Sequence, residues 1–266
     1  MSKRAVEYVR RMRGGAQAHL LRCEDQAYYV TKFQNNPQHL RILANEMLAA
    51  QLATALGLPV GRPEVVEVPG ELVAHTPELR IQIGGRWEPC REGFQFGSRF
   101  PGEPERVLVH ELLPEERLAE VENLAAFPGI LLFDQWTCNT DGRQVLFLSE
   151  PAKGRGSRAL MIDQGFCFNA GEWNFPDSPL RGLYPSHRVY ASVRGWPSFE
   201  PYLTRLEALP VAVLDEAATT IPPAWYEADR VALGRLLEEL DRRRARIRER
   251  ILSVRNSTRQ PFPNWR

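Results

Sequence analysis

The feature that most constrains the fold is a change of pattern at Pro114. Before it, apolar and polar residues alternate from Val6 to about Val30 around Gly14-Gly15, and residues 60–110 are rich in Val, Pro and Gly, which indicates short strands joined by turns. After it, apolar residues recur at helical spacing, most clearly toward the end of the chain. We therefore predict an α+β fold of two lobes, a β-rich N-lobe over residues 1–113 and a mostly helical C-lobe over residues 114–266.

Pro and Gly residues mark where the helices should begin, break or end. A helix of about twenty residues is predicted after Asn35-Asn36-Pro37, with Pro37 in its first turn and Gly57 at its end. Pro128-Gly129 is predicted to interrupt the helical stretch from Glu115 to Trp136. The last helix should bury one apolar stripe, formed by Leu233, Leu236, Leu237, Leu240, Ile247 and Ile251.

The composition argues against several classes of protein. The chain has 266 residues, of which 43% are hydrophobic, so a substantial core is expected. A net charge of +1 makes nucleic acid an unexpected partner for the molecule as a whole. No run approaches the ~20 apolar residues of a membrane helix and the N-terminus lacks the apolar core of a secretion signal, so we expect a cytoplasmic protein without a membrane partner. Zinc is not expected, because no His lies at ligand spacing from the four scattered cysteines, Cys23, Cys90, Cys138 and Cys167.

Two aspartates flank a short predicted hairpin in the second half of the chain. Asp141 lies in the polar turn Asn139-Thr140-Asp141-Gly142, and Asp163 follows an apolar strand and precedes Gln164-Gly165. Two carboxylates at the mouth of a hairpin suit phosphoryl transfer, in which one orients the attacking hydroxyl and the other holds Mg²⁺ on the ATP phosphates. Asn and Asp are also common turn residues, and an Asp can simply end a strand, so both interpretations stay open at this point.

Upstream of the hairpin stand a glycine turn, a strand Lys and a helix Glu, in the order that a kinase requires. Gly14-Gly15-Ala16-Gln17 would let backbone N–H groups approach phosphate oxygens, although an ordinary hairpin turn has the same sequence. Lys32 shares a strand face with Tyr28 and Val30, where a lysine needs a partner, and Glu46 in the next helix is a candidate. Solvation of both charges at the surface is the alternative.

With these residues the chain resembles the HipA-like kinase family, bacterial relatives of the Ser/Thr protein kinases. The matching segments are Gly15-Ala16-Gln17, Tyr29-Val30-Thr31-Lys32-Phe33, Asn45-Glu46, Gly57-Leu58-Pro59-Val60, Phe96-Gly97-Ser98-Arg99, Asn139-Thr140-Asp141 and Ile162-Asp163-Gln164-Gly165. They span residues 14–165 and are most similar to the short stand-alone members. The resemblance implies a protein-kinase-like fold and transfer of the γ-phosphate of ATP to a hydroxyl, with a protein Ser or Thr, rather than a small molecule, as the expected acceptor.

The resemblance also implies roles for individual residues. Lys32 would bind the ATP phosphates, with Glu46 positioning it. Asp141 would orient the acceptor hydroxyl, and Asp163 would ligate Mg²⁺. The phosphates would lie under the glycine turn, formed by Gly14, Gly15, Ala16 and Gln17. The adenine base would be covered by Tyr28 and Val30 and contacted by the backbone of the hinge His110-Glu111-Leu112-Leu113.

Two positions depart from the family's pattern. Kinases carry a metal-binding Asn five residues after the catalytic Asp, and here that position is Leu146; the amide of Gln144 or Asn139 is the possible substitute. Arg143 stands where the family often has His. A second hypothesis is therefore a pseudokinase, which binds nucleotide or a partner without turnover. The turn from Arg11 to His19 holds no Ser or Thr, so the loop autophosphorylation associated with the HipA toxin has no acceptor here.

Two groups near the C-terminal half carry weaker signals. An arginine cluster could contact nucleic-acid phosphates, but interleaved Glu and Asp residues favour a solvated helix face; the cluster is Arg242, Arg243, Arg244, Arg246, Arg248 and Arg250. An aromatic run after Asp163 would pave an acceptor groove or, more simply, pack under a long loop; it comprises Phe166, Phe168, Trp173 and Phe175.

Overall fold

Strands dominate the first hundred residues and helices dominate from Phe127 onward in a computed structural model that describes residues 2–154 and 156–266. The strands are β1 (Lys3–Arg11), β2 (His19–Cys23), β3 (Tyr28–Lys32), β4 (Pro63–Val68), β5 (Arg80–Ile83), β6 (Arg86–Pro89), β7 (Gly93–Arg99), β8 (Leu108–His110), β9 (Gln144–Ser149) and β10 (Arg158–Ile162). The α-helices are α1 (Ile42–Leu56), α2 (Gly70–His75), α3 (Phe127–Thr137), α4 (Tyr202–Glu207), α5 (Val211–Thr219), α6 (Arg230–Arg244) and α7 (Ile247–Arg255). This mixture, 36% helix and 22% strand, confirms the α+β class.

Five strands close into a barrel in the order β1-β2-β3-β7-β4. The neighbours pair antiparallel except at the closure, where β1 runs parallel to β4. Because side chains alternate along a strand, β3 sends Tyr29 into the barrel core and places Tyr28 and Val30 in a second apolar cluster with Leu20. One face of β3, the strand that carries Lys32, therefore packs outside the barrel core against β8 and β9.

Helix α1 joins the barrel to the core of the helical part. It begins at Ile42, so the prediction that Pro37 occupies its first turn is wrong. Asn36 explains the difference, because its Oδ1 accepts a hydrogen bond from the Gln38 N–H at 2.9 Å and its Nδ2 donates to the Ala16 carbonyl at 2.9 Å, which fixes a turn ahead of the helix. The helix ends at Gly57, which has a φ of +76° as a left-handed C-terminal cap requires.

A three-stranded antiparallel sheet, β10-β9-β8, lies between the barrel and the helices. The predicted hairpin is present as β9 and β10, with Leu146 opposite Leu160. β8, whose last residue His110 is the first of the predicted hinge, pairs with β9 rather than with a barrel strand. The division into lobes at residue 113 stays a prediction.

The first turn of α3 corrects the expectation of a break at Pro128-Gly129. Both residues lie at the start of a helix that begins at Phe127, where a proline needs no N–H partner. Gly129 is required for packing, since an added Cβ would lie 2.2 Å from the ring of Tyr202. The helical stretch before it is instead a pair of short 3₁₀ turns, Glu115–Glu120 and Leu124–Ala126.

The C-terminal apolar stripe is buried as predicted, but on two helices instead of one. α6 and α7 are separated at Ala245 and Arg246. Leu237 is only partly buried, whereas the other members of the stripe lie in the core. None of the helices in the described part of the chain combines the length and the apolar character that a membrane crossing requires. The four cysteines are free and buried.

Candidate active site

Lys32 ends β3 with its ammonium group buried between two carboxylates. Its Nζ donates to Glu46 Oε1 at 2.5 Å and also to Asp163 Oδ1, and its side chain is 7% exposed. Burial by itself would lower the pKa of the Lys32 ammonium, but the charges of Asp163 and Glu46 outweigh it and raise this pKa above its ordinary value. The two charges predicted to pair are therefore paired, and their solvation at the surface is excluded.

Glu46 connects three parts of the chain. It lies on α1 with 2% of its surface exposed, and its Oε1 accepts from Lys32 and from the Gly165 N–H, the latter at 2.8 Å. A Cβ added to Gly165 would lie 2.7 Å from Ile42 Cγ1 and 3.2 Å from Glu46 Oε1. The glycine two residues after Asp163 is thus needed for close contact with α1.

Asp163 follows the last residue of β10 and adopts a left-handed backbone, with a φ of +55°. This conformation is unfavourable for a residue with a side chain, though Asp tolerates it better than most, and it persists where neighbours hold it. Its side chain is 24% exposed and one oxygen contacts Lys32. The carboxylate therefore faces both the buried cation and the solvent-accessible cleft.

Asp141 lies in a turn held by its neighbours' side chains. Its N–H donates to Asn139 Oδ1 at 3.2 Å, its Oδ1 accepts from the Gly142 N–H at 2.8 Å, and its Oδ2 accepts from Gln144 Nε2 at 3.3 Å. The structural interpretation of this sequence as a self-bonded turn is correct. It does not exclude the functional one, because the same turn presents the carboxylate to a cavity.

A cavity of about 180 Å³ brings the predicted site residues together. It is lined by Gly15, Ala16, Lys32, Gln38, Ile42, Glu46, Asp141, Gln144, Asp163, Gly165 and Phe166. The glycine turn covers one side, α1 another, and the ends of the β9–β10 hairpin the third. The predicted residues that lie outside this lining are Gly14, Gln17, Tyr28, Val30 and the hinge.

Gln17 is engaged away from the cavity. Its Oε1 accepts from the Gln82 N–H at 2.6 Å and its Nε2 donates to the Gln82 carbonyl at 2.9 Å, so its amide pairs with β5 as a neighbouring strand would. Arg11 adds a hydrogen bond to the same Oε1 and stacks on Trp87. The Gln17 side chain therefore anchors the glycine turn to the β5–β6 hairpin, and the predicted contact of the Gln17 backbone with nucleotide stays a prediction.

The predicted base-binding end is apolar. Tyr28 and Val30 pack in the cluster of Leu20 with Val109 of β8 and Leu148 of β9. Residues 111–113 follow the end of β8 and lie outside any helix or strand. The hinge side chains diverge, since Leu112 is 73% exposed whereas Leu113 packs into the core.

The sequence matches the model of a known protein family. The model of the HipA-like kinase family matches residues 5–168, more than half of the chain and all of the segment that holds the cavity. The chain belongs to the HipA-like kinase family. No curated protein matches it in sequence.

Solved structures confirm the protein-kinase-like fold of this HipA-like kinase. A Golgi casein kinase is similar at 14% identity and a TM-score of 0.55, over 96% of this chain and 74% of the other. The same kinase with Mn/ADP bound gives a TM-score of 0.50 at 14% identity, over 97% and 74% of the two chains. The Helicobacter pylori proinflammatory kinase CtkA gives 0.56 at 13% identity, over 91% and 96%.

Asn45 is a site residue of this HipA-like kinase to which sequence reasoning gave no role. It is fully buried beside Glu46, and its Nδ2 donates to the carbonyls of Gly165, Cys167 and Ala170. Its Oδ1 accepts from Trp173 Nε1 at 2.7 Å. The signal was a polar residue in an apolar helix, which needs buried partners. Those partners lie in the loop after Asp163, and Asn45 therefore fixes that loop to α1.

Sequence analysis also gave no role to two other buried residues, Asp134 of α3 and Arg143. Both side chains are 0% exposed, and they form a bidentate ion pair in which Arg143 Nε donates to Asp134 Oδ2 at 2.8 Å. Asp134 raises the pKa of the Arg143 guanidinium against the opposing effect of burial. The sequence marked Arg143 as a departure from the family's His but gave no sign of its partner.

The six arginines of the cluster in the last two helices are paired with five carboxylates of the same chain. Each of the six guanidinium groups forms an ion pair with a carboxylate: Arg242 with Glu239, Arg243 and Arg250 with Asp177, Arg244 with Asp241, Arg246 with Glu249, and Arg248 with Glu207. The preference for a helix face over a nucleic-acid surface gains support, although Arg243 is buried instead of solvated.

The aromatic residues after Asp163 serve packing more than the cleft. Phe168 is in the core, Trp173 bonds to Asn45, and Phe175 lies under the guanidinium of Arg243. Only Phe166 of this run lines the cavity. The simpler interpretation of the run, as core under a long loop, holds for most of it.

Proposed function

We propose that this HipA-like kinase transfers the γ-phosphate of ATP to a hydroxyl in the presence of Mg²⁺. The observation that carries the proposal is the convergence of Lys32, Glu46, Asp141 and Asp163 on one cavity beneath a glycine turn. Phosphoryl transfer requires little covalent chemistry from the protein, so a positioned base, a positioned cation and a metal-binding carboxylate suffice.

In this proposal each charged group acts on a defined atom. The Lys32 ammonium, held by Glu46, binds phosphate oxygens of ATP. Asp141 orients the acceptor hydroxyl and accepts its proton as the oxygen attacks the γ-phosphorus. The bond from that phosphorus to the β,γ-bridging oxygen breaks, ADP leaves, and the proton passes from Asp141 to solvent.

The residues present fit a magnesium ion bound together with nucleotide. No group of three or more His, Cys, Asp or Glu side chains in the described residues converges as a complete metal site. Mg²⁺ usually takes only one or two protein oxygens and completes its shell with phosphates and water. Asp163 would hold the ion, which when bound neutralises charge on the phosphates.

Gln144 is the second oxygen donor that we propose for the ion. β9 begins at Gln144, and strand alternation puts Gln144 and Leu146 on one face while Val145 and Phe147 are buried on the other. The family's Asn position and Gln144 therefore face the same way. Gln144 lines the cavity, whereas Leu146 does not. Gln144 is also two residues nearer to Asp141 in the sequence than Leu146 is.

We propose a protein Ser or Thr as the acceptor, on the basis of family membership. A degenerate set of Ser, Thr and Tyr peptides, incubated with radiolabelled ATP alongside small-molecule alcohols, tests this assignment. Labelling confined to the alcohols would contradict it.

The first test of the site is a thermal melt with ATP, with and without Mg²⁺. At a ligand concentration of about 100 times Kd, binding to the folded state adds about 2.7 kcal/mol of stability. We expect this stabilisation for the unmodified protein and for Asp215→Ala, which removes an exposed carboxylate of α5. Asp163→Ala should lose it, and Asp141→Asn should keep it while losing transfer. Normal transfer by both site variants would contradict the proposal.

The second candidate function is a pseudokinase, which the Leu at position 146 favours. Its partner-binding or nucleotide-binding surface would work without turnover. Leu146→Asn separates the two candidates, because transfer that arises only in this variant would establish the pseudokinase. Robust turnover by the unmodified chain would reject it.

A further inference from the structure

Arg143 occupies the point where the two proposed catalytic segments meet. It follows Asp141 by two residues, so its backbone belongs to the Asp141 turn. Its Nη1 donates to the Ile162 carbonyl at 2.9 Å and to Gln164 Oε1 at 2.8 Å. These acceptors stand on either side of Asp163 in the chain, and one guanidinium therefore ties the Asp141 turn to the Asp163 segment.

Asp134 fixes the guanidinium from the opposite side and also fixes the Asp141 turn. Its carboxylate binds Arg143 through two nitrogens and accepts from Asn139 Nδ2 at 3.1 Å. Asn139 in turn accepts the Asp141 N–H. Asp134 thus connects to Asp141 by two routes, one through the buried side chain of Asn139 and one through the buried side chain of Arg143.

The surroundings of Asp134 leave it no freedom to move away. Gly182 packs on its side chain with a φ of +68°, and a Cβ added there would lie 2.1 Å from Asp134 Cβ. Asp134 itself lies inside α3, whose residues are all buried. The network of Asp134, Asn139 and Arg143 is therefore rigid, and it ends on the residues that flank both proposed catalytic carboxylates.

We propose that Arg143 is a positioning residue for phosphoryl transfer, which sets the placement of Asp141 relative to Asp163 in place of the His that the family often carries. The inference rests on the proposed function and deepens it. The planar fork is what matters, because only a guanidinium reaches Asp134, Ile162 and Gln164 together. A lysine would keep the charge but not the geometry.

Arg143→Lys tests the fork separately from the charge. The variant retains a cation opposite Asp134, so the buried carboxylate is not left unpaired. We expect kcat to fall by about 10²-fold, which is the effect of a misplacement of about 1 Å at a reacting centre. The KM for ATP should change by less than about threefold, because Lys32, Glu46 and Asp163 still bind the nucleotide.

Arg250→Lys is the matched control. The mostly buried side chain of Arg250 also pairs with a carboxylate, at 2.5 Å from the more exposed Asp177, but this ion pair belongs to α7 and lies outside the cavity lining. Its kcat should equal that of the unmodified protein. Circular dichroism at the assay temperature establishes that both variants are folded before their rates are compared.

A charge-free variant covers the case in which Arg143→Lys fails to fold. Asp134→Asn with Arg143→Gln removes both buried charges while keeping polar groups that bond to each other. It should fold and show the same split of lowered kcat and nearly unchanged KM. Unchanged kcat in a folded Arg143→Lys protein, or an equal rise in KM, would overturn the positioning role while leaving the proposed function intact. Absence of transfer by the unmodified protein would instead remove both.

Discussion

Two charge clusters meet at the Asp163 segment, and they differ in their access to solvent. In the open cluster, Lys32 is shared by Glu46 and by Asp163, whose side chain is 24% exposed and lines the cavity. In the sealed cluster, Arg143 and Asp134 are both 0% exposed. The open cluster uses a point-charge ammonium, and the sealed one uses a planar fork with fixed directions.

This difference suits the two clusters to different roles, one in binding and one in stability. An ammonium group holds carboxylates by charge and exchanges partners easily. Under the proposed function, Asp163 would therefore turn to the metal ion while Lys32 keeps Glu46. A buried guanidinium whose donors are all directed cannot exchange partners without leaving an unpaired charge. We therefore expect the sealed cluster to govern stability and the open cluster to govern binding.

The largest loss of stability is expected from Arg143→Met. The change leaves the Asp134 carboxylate buried without a partner, which costs about 3–5 kcal/mol of unfolding free energy. Urea denaturation followed by circular dichroism measures it. Adding Asp134→Leu to the same chain should restore most of the loss, since no buried charge remains. A single variant as stable as the parent would erase the contrast between the two clusters.

A smaller loss is expected from Asn45→Ala, which removes the link between α1 and the loop after Asp163. The Trp173 N–H and the three loop carbonyls would lose their partner, and unsatisfied buried groups cost about 1–3 kcal/mol. Asn256→Ala, at an exposed position after α7, is the matched control and should change stability by less than about 0.5 kcal/mol. Equal effects of the two changes would show that Asn45 does not join the open cluster to the loop.

Acid should destabilise the fold through two buried histidines, His19 of β2 and His39 ahead of α1. Burial lowers the pKa of His19 from 6.5 to about 4, and the pKa of His39 is also lowered by burial. The unfolded chain binds the His19 proton below about pH 6.5 and the folded chain only near pH 4, so stability is lost as pH falls through this window. The slope per histidine is at most about 1.4 kcal/mol per pH unit. Urea midpoints from pH 7 to 4 should fall less steeply for His19→Gln, and an unchanged slope would contradict the assignment.

The smallest loss of stability is expected from Asp163→Asn. Lys32 keeps its bond to Glu46, and the ion pair removed is partly exposed, so unfolding free energy should change by about 1 kcal/mol or less. Under the proposed function the same variant loses its Mg²⁺-dependent stabilisation by ATP. Calorimetry with and without nucleotide measures both effects on one sample. A large intrinsic destabilisation would mean that the open cluster is structural like the sealed one.

Sequence reasoning succeeded where the chemistry of a residue type dictates its surroundings. A lysine on an apolar strand face must have a partner, and Glu46 supplies it. Asp141 and Asp163 were predicted to meet because a hairpin brings its two ends together, and they line one cavity. Gly57 ends its helix because a left-handed cap favours glycine.

The remainder depends on contacts between distant parts of the chain. Asn36 delays α1 by bonding to Ala16, and α3 needs glycine at position 129 because the ring of Tyr202 packs against it. The pairing of β1 with β4 that closes the barrel has no local signal. Arg143 likewise gave no sign of Asp134, since that pair forms only when the turn folds back on α3.

The hydrogen bonds of the Gln17 amide order the glycine turn before any ligand binds. Because Gln82 and Asn36 already hold this turn, much of its conformational entropy is lost when the barrel folds, before any ligand arrives. A phosphate group that binds there meets a surface already ordered, and the entropy of ordering no longer weakens its affinity. Under the proposed function, the β5–β6 hairpin would thereby increase the affinity of the turn for the ATP phosphates through its hydrogen bonds to Gln17.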